Sequence, residues 1–123
     1  MKILLAEDEE SLAKVLKEEL EVLGYTITWA RNGIEAVLAA LDNRFDVLIV
    51  DMVMPDMSGI NTIKIIKKIR SDIGVVACSG RVGKDIMIDS IMTGATACLN
   101  KPFTISQLIS QIKWVTRNKT KGR

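Results

Sequence analysis

Four short apolar runs in this chain each end on groups able to do chemistry. KILLA (2–6) runs into Glu7-Asp8, VLIV (47–50) into Asp51, GVVAC (74–78) into Ser79, and ATACL (95–99) into Asn100-Lys101-Pro102. If the runs are parallel strands, all four ends lie along one edge of a sheet. Three carboxylates crowded there repel one another unless a cation joins them. All-oxygen ligation in a small site suits Mg²⁺, which takes few protein ligands and keeps waters. Lys101 is the natural counter-charge, and the Ser79 hydroxyl can donate to an oxyanion. A metal, a fixed lysine and a hydroxyl around one carboxylate suit a phosphoryl group. Taken singly, Asp51 also fits a turn or a helix cap, Glu7-Asp8 the acidic opening of a helix, and Lys101 a solvated turn. The functional reading rests on their joint placement.

The elements that must bring these ends together follow from periodicity. Residues 11–23 place Leu12, Val15, Leu16, Leu20 and Leu23 at helical spacing, and Gly24 marks the helix end. YTITWA (25–30) alternates as a strand, and Asn32-Gly33 starts a helix carrying Ile34, Val37, Leu38 and Leu41. Further helices are expected over 60–70 (Ile60, Ile63, Ile66, Ile69), 84–92 (Ile88, Ile91) and 104–115 (Ile105, Leu108, Ile109, Ile112, Val115). Strands and helices thus alternate five times without an internal linker. The middle strands are apolar throughout, as strands covered on both faces must be. Right-handed crossovers then give a mostly parallel sheet with helices on both sides, and ligands sit beyond the carboxyl ends of its strands.

Bulk properties are consistent with one such domain. The chain has 123 residues, 48% of them hydrophobic and 26% charged. It has no histidine, which excludes histidine acid–base chemistry, histidine metal ligation and a phosphohistidine on this chain. Two cysteines, Cys78 and Cys98, lack metal-ligand spacing and are too few for a disulfide framework. A reduced, cytoplasmic setting is expected: the start, MKILLAEDEE, is unlike a signal peptide, and no apolar run is long enough to span a bilayer. Residues 113–123 carry five of the 17 basic residues and no acid, so the net +2 conceals a body at −3 with a basic tail. The tail lacks interleaved aromatics beyond Trp114, and no direct nucleic-acid binding is expected from this domain.

Glu7-Asp8, the DMVMPDMSG turn (51–59), Ser79-Gly80 and Lys101-Pro102-Phe103 together make the chain resemble the receiver domain of two-component response regulators, of the chemotaxis-regulator type. The resemblance covers about residues 2–116, leaving 117–123 as a basic tail or the start of a linker. It implies a five-stranded parallel sheet in a flavodoxin-like (βα)5 three-layer sandwich, strand order 2-1-3-4-5. It implies that Asp51 accepts a phosphoryl group from a sensor histidine kinase or a histidine phosphotransfer protein. Glu7, Asp8, Asp51 and the Val53 backbone carbonyl would hold Mg²⁺. Lys101 would pair with the carboxylate and then with phosphoryl oxygens, and Ser79 would turn inward to bond the phosphoryl group. Ser79, Gly80, Arg81 and Cys98 fall in the switch region, and Pro55, Gly59 and Pro102 shape the turns. Pro55 fixes φ, and Gly59 is expected to take a dihedral that other residues resist. Two departures stand out. Cys98 replaces a common aromatic three residues before Lys101, so switching is expected to run through the 79–84 loop. Glu7 replaces a common aspartate.

The implied function is a phosphorylation-activated signalling switch, catalysing only its own phosphoryl transfer and dephosphorylation. A downstream protein or output domain would read the face made by the 84–92 helix, the fifth strand and the last helix, with homodimerisation on phosphorylation a further expectation. Three rivals fit less well. A non-phosphorylated adaptor would not need Asp51, Lys101 and the acidic pair. A magnesium-dependent phosphatase with an aspartyl intermediate would carry a second aspartate where Val53 stands. A dinucleotide binder would need a glycine-rich turn in place of AEDEES.

Overall fold

The computed structural model describes residues 1–80 and 97–118 of the chain. In chain order these form β1 (Lys2–Ala6), α1 (Glu10–Val22), β2 (Thr26–Ala30), α2 (Gly33–Asp42), β3 (Val47–Asp51), α3 (Gly59–Ile69), β4 (Gly74–Ser79), β5 (Ala97–Asn100) and α4 (Ile105–Asn118). The expected 84–92 helix, with Arg81 before it, lies outside the described residues. All five strands are parallel, in the order β2-β1-β3-β4-β5. Strand order reverses between β1 and β3, which lie side by side with Leu4 opposite Leu48 and Ala6 opposite Val50. In open sheets of this kind the reversal opens a crevice at the carboxyl ends.

Strand alternation sends side chains to opposite faces, and each face carries its own core. Leu4, Leu48, Val50, Val75 and Ala77 pack with Ala36, Ala40, Ile63 and Ile66 of α2 and α3. Ile3, Leu5, Val47, Ile49 and Val76 pack with Leu16 and Leu20 of α1 and with Leu108, Ile112 and Val115 of α4. Each large aliphatic buried here contributes roughly 1.5–3 kcal/mol relative to exposure, which fixes the strand ends relative to one another.

Local chemistry sets the helix limits. Gly24, at φ +96°, closes α1 in a conformation that side chains resist. Asn32 caps α2 by accepting from Glu35 N at 2.8 Å, and Ser58 caps α3 by accepting from Asn61 N at 3.2 Å. Thr104 and Gln107 form a reciprocal capping box before α4, at 3.1 and 2.8 Å. The last helix runs to Asn118, slightly past the expected boundary at 116.

The helix faces differ from the expected stripes in two places. On α1, Ala13 joins Leu16 and Leu20 in the core, whereas Val15 and Leu23 are exposed. On α2, Ala36 and Ala40 are buried and Ile34, Leu38 and Leu41 are each more than half exposed. The reason is close approach. A Cβ added at Gly33 would stand 2.5 Å from Thr62 Oγ1, so α2 lies against its neighbours through small residues and turns its large ones outward.

Candidate functional site

The carboxyl ends of β1, β3 and β5 do meet. One carboxylate oxygen from each of Glu7, Asp8 and Asp51 lies within 4.8 Å of the others. Glu7 and Asp51 are buried at 3% and 7% exposure, and Asp8 is open to solvent. Backbone pairing places each residue. Glu7 N continues the β1–β2 ladder by donating to Ala30 O at 3.1 Å, and Asp51 stands opposite Cys78. Lys101 N donates to Ser79 O at 2.8 Å, which carries the β4–β5 ladder past Asn100.

That last bond delivers the Lys101 side chain to the acids. Its Nζ lies 2.8 Å from Glu7 Oε1 and 3.2 Å from Asp51 Oδ2. Burial alone would lower the Lys101 pKa, but the hydrogen bond and charge of Glu7 and the charge of Asp51 outweigh it and raise it, so the ammonium persists. At Glu7 the balance is reversed. Burial pushes its carboxyl up to about 7, against the hydrogen bonds from Lys101 and from Glu9 N and with the repulsion of Asp51. Three carboxylates facing one ammonium leave an excess of negative charge that a divalent cation would balance.

The donor set is hard oxygen. Cys78 borders it, but burial pushes its thiol up to about 12, so it stays neutral and is no ligand. Oxygen donors of this number suit Mg²⁺ or a similar hard cation. Around them, Val53 N donates to Asp51 Oδ1 at 3.1 Å, which orients the carboxylate. Ser79 is buried at the end of β4, opposite Asn100. Gly80 lies beside Lys101, where an added Cβ would stand 3.8 Å from that side chain. Cys98 is half-buried and packs against the α2–α3 side of the sheet, paired with Ala77. Pro55 is exposed in the turn after β3, and the Lys101–Pro102 peptide bond is cis.

Gly59 is a correction. Gly24 alone among the described glycines has a positive φ. Gly59 is required by proximity instead, because a Cβ there would lie 2.5 Å from Met52 Cα and 2.9 Å from Asp51 O. Two further contacts have no precedent in the motif reading. Trp29 Nε1 donates to Glu7 O at 2.9 Å, while Arg31 stacks 4.7 Å above the Trp29 ring. Asp56 accepts from Gly33 N at 3.1 Å and Ile34 N at 2.9 Å. Desolvation pushes the Asp56 carboxyl up, but the backbone N–H groups, led by Ile34 and Gly33, outweigh it and hold it below its ordinary value. The first N–H groups of α2 need acceptors and Asn32 supplies only one, but nothing local in the sequence marks Asp56 as the other.

The buried Glu7 carries a pH signature in metal-free buffer. Its folded-state pKa of about 7 lies above the ordinary 4.5, so the folded protein holds a proton that the unfolded chain has released between those values. Its contribution to stability is therefore fully present below the ordinary value and is lost as pH rises towards the folded one, by at most about 3 kcal/mol. Urea unfolding of wild type and Glu7→Gln in chelator, at several pH values, isolates this effect. A wild-type minus variant difference that is flat or rises with pH contradicts it.

The response regulator receiver domain family matches residues 3–113. A CpxR homolog transcriptional regulatory protein from Haemophilus influenzae is 37% identical over 117 residues, covering 94% of this chain and 50% of that protein. The transcriptional regulatory protein YkoG of Bacillus subtilis is 33% identical over 115 residues, again covering 94% and 50%. The chain thus spans about half the length of these relatives. Among solved structures, a response regulator receiver domain protein from Clostridium thermocellum superposes with TM-score 0.90 at 32% identity, covering 96% of this chain and 95% of that one. A CheY-like receiver domain protein from Methanospirillum hungatei shares the fold with TM-score 0.92 at 24% identity, covering 96% and 94%.

Proposed function

Since the chain belongs to the response regulator receiver domain family, we propose that it is a phosphorylation-activated switch whose acceptor is Asp51. The observation that carries the assignment is the placement of Lys101 Nζ between Asp51 Oδ2 and Glu7 Oε1, beside three clustered carboxylates. Asp51 ends a strand buried on both faces, so its carboxylate is held rigidly while an edge of it stays reachable. A carboxylate oxygen of Asp51 forms the new bond to phosphorus as the P–N bond to the donor's histidine breaks. The electron pair leaves on the imidazole nitrogen, and an acyl phosphate remains on the protein. Lys101 pairs with the phosphoryl oxygens, and the Ser79 hydroxyl donates to one of them. Glu7, Asp8, Asp51 and the Val53 carbonyl would hold Mg²⁺, which would supply neutralising charge to the phosphoryl oxygens.

On this reading the chain turns over no external substrate beyond its phosphodonor. A sensor histidine kinase or phosphotransfer protein is the donor. The partner-reading face includes β5 and α4 and extends into residues outside those described, with homodimerisation as one response. Residues 1–116 are the receiver domain, with 117–123 as tail or linker, and nucleic-acid contact belongs to other modules. Among the described residues no helix is long and apolar enough to cross a membrane, and a cytoplasmic setting is proposed.

A small acyl phosphate such as acetyl phosphate tests this directly. With Mg²⁺, intact mass should show a single phosphate that is labile in base. Chelation, or Glu7→Gln with Asp8→Asn, should remove it. Incorporation that is equal with and without Mg²⁺, or metal binding that survives in Asp8→Asn with Asp51→Asn, overturns the assignment.

A further inference from the structure

We propose that Asp56 is a positioning residue for the acceptor site, tying the turn that carries the Val53 peptide to the start of α2. The inference rests on the phosphoacceptor reading above. Residues 52–58 connect Asp51 to α3, and Val53, Pro55 and Asp56 in that turn are exposed, so burial does not hold them. Three anchors do. At the far end, Gly59 N donates to Met52 O at 3.1 Å and the glycine packs on the Asp51–Met52 backbone. In the middle, Met54 is buried in the core under α2 and α3. Between them, the two oxygens of Asp56 separately accept from Gly33 N and Ile34 N, 23 and 22 residues earlier in the chain. An ionised acceptor on two backbone N–H groups at a helix start is a strong, directional tie.

An ordinary cap would not need this reach. Helix α2 already has a local one: Asn32 Oδ1 accepts from Glu35 N at 2.8 Å, and Glu35 Oε1 accepts from Arg31 N at 3.0 Å. Asp56 adds what a local cap cannot, a bond between α2 and the acceptor turn. Val53 lies between that tie and the acceptor, because its own N–H donates to Asp51 Oδ1 at 3.1 Å. Releasing Asp56 frees the turn on one side, and the Val53 peptide loses its fixed orientation towards Asp51.

Asn32→Ala supplies the control, since it removes the other cap from the same helix end without touching the turn. Amide spectra of metal-free Asp56→Ala should show the Val53 and Met54 resonances moved, as well as those of Gly33 and Ile34. Calorimetric titration with Mg²⁺ should give a dissociation constant raised about 10-fold, the usual scale for losing a group that orients a ligand. Asp56→Asn should recover most of that, because its amide oxygen still accepts one N–H. Asn32→Ala should lower the thermal midpoint comparably while leaving the Mg²⁺ affinity and the Val53 resonance as in wild type. Two results overturn the proposal: an equal loss of affinity in Asn32→Ala, or Asp56→Ala with a lowered midpoint but wild-type affinity and an unmoved Val53 amide. If wild type binds no Mg²⁺, the phosphoacceptor reading fails separately, and the metal-free Val53 and Met54 resonances still decide whether Asp56 positions the turn.

Discussion

Asp51→Ala should take up no phosphate from an acyl phosphate donor under conditions that fully label wild type. Other oxygens stand close by, so the result is not trivial. Glu7 is buried and bonded to Lys101 at 2.8 Å and to Glu9 N at 3.1 Å. Asp8 is in the acidic cluster but exposed, whereas Asp51 has Lys101 on one oxygen and Val53 N on the other. Glu7 and Asp51 thus both combine restraint with Lys101 beside them, so labelling of the Asp51 variants decides between them. Asp51→Asn is the sharper variant, because its amide oxygen still accepts from Val53 N and spares the turn. Its labelling should also fall below detection, with a thermal midpoint near that of wild type. Phosphate on either variant at the wild-type level, seen by intact mass and located by peptide mapping, would falsify the acceptor assignment. Loss of label accompanied by global unfolding is separated from this outcome by the midpoint of Asp51→Asn.

Much of this site was legible in the sequence because its residues sit where the pattern changes. Glu7, Asp51, Ser79 and Lys101 each follow an apolar run, and parallel strands can only bring such ends to one edge. The sheet order β2-β1-β3-β4-β5 then sets β1 and β3 side by side, so Glu7 and Asp51 are neighbours although 44 residues separate them. Helix faces were less legible. On α2 the larger residues Ile34, Leu38 and Leu41 suggest the core stripe, yet Ala36 and Ala40 fill it, since the separation between packed elements decides which size fits. The ties from Asp56 to α2 and from Trp29 to Glu7 were invisible for a related reason. Each joins segments more than 20 residues apart, and neither has a local signature that distinguishes it from a turn aspartate or a strand aromatic. Gly59 carried a signal whose cause was misassigned: the glycine matters for what its Cα touches and not for its φ.

That cause makes Gly59 a sensitive position beside the acids and the lysine. Gly59→Ala introduces a methyl 2.5 Å from Met52 Cα, 2.8 Å from Met52 Sδ and 2.9 Å from Asp51 O. The sulfur can swing aside, but the backbone atoms belong to the last residue of β3, a fully buried strand, and to the residue that follows it. Either α3 backs away or the Asp51–Met52 peptide moves, and Met52 N is held by Cys78 O at 2.8 Å. Overpacking of this kind costs about 1–3 kcal/mol. Because the strained atoms include the acceptor residue's own carbonyl, the rate of phosphoryl uptake should fall as well, by about 10²-fold if the carboxylate is displaced by roughly 1 Å. Gly24→Ala separates the two effects. Its φ of +96° makes alanine strained there, with no atom near the new methyl and no link to the site. It should lose about 1 kcal/mol or more while taking up phosphate at the wild-type rate. Urea unfolding and single-turnover labelling of both variants measure the pair. A wild-type rate in Gly59→Ala, or an equal slowing in Gly24→Ala, would show that α3 yields and that the acceptor end of β3 is not held by this glycine.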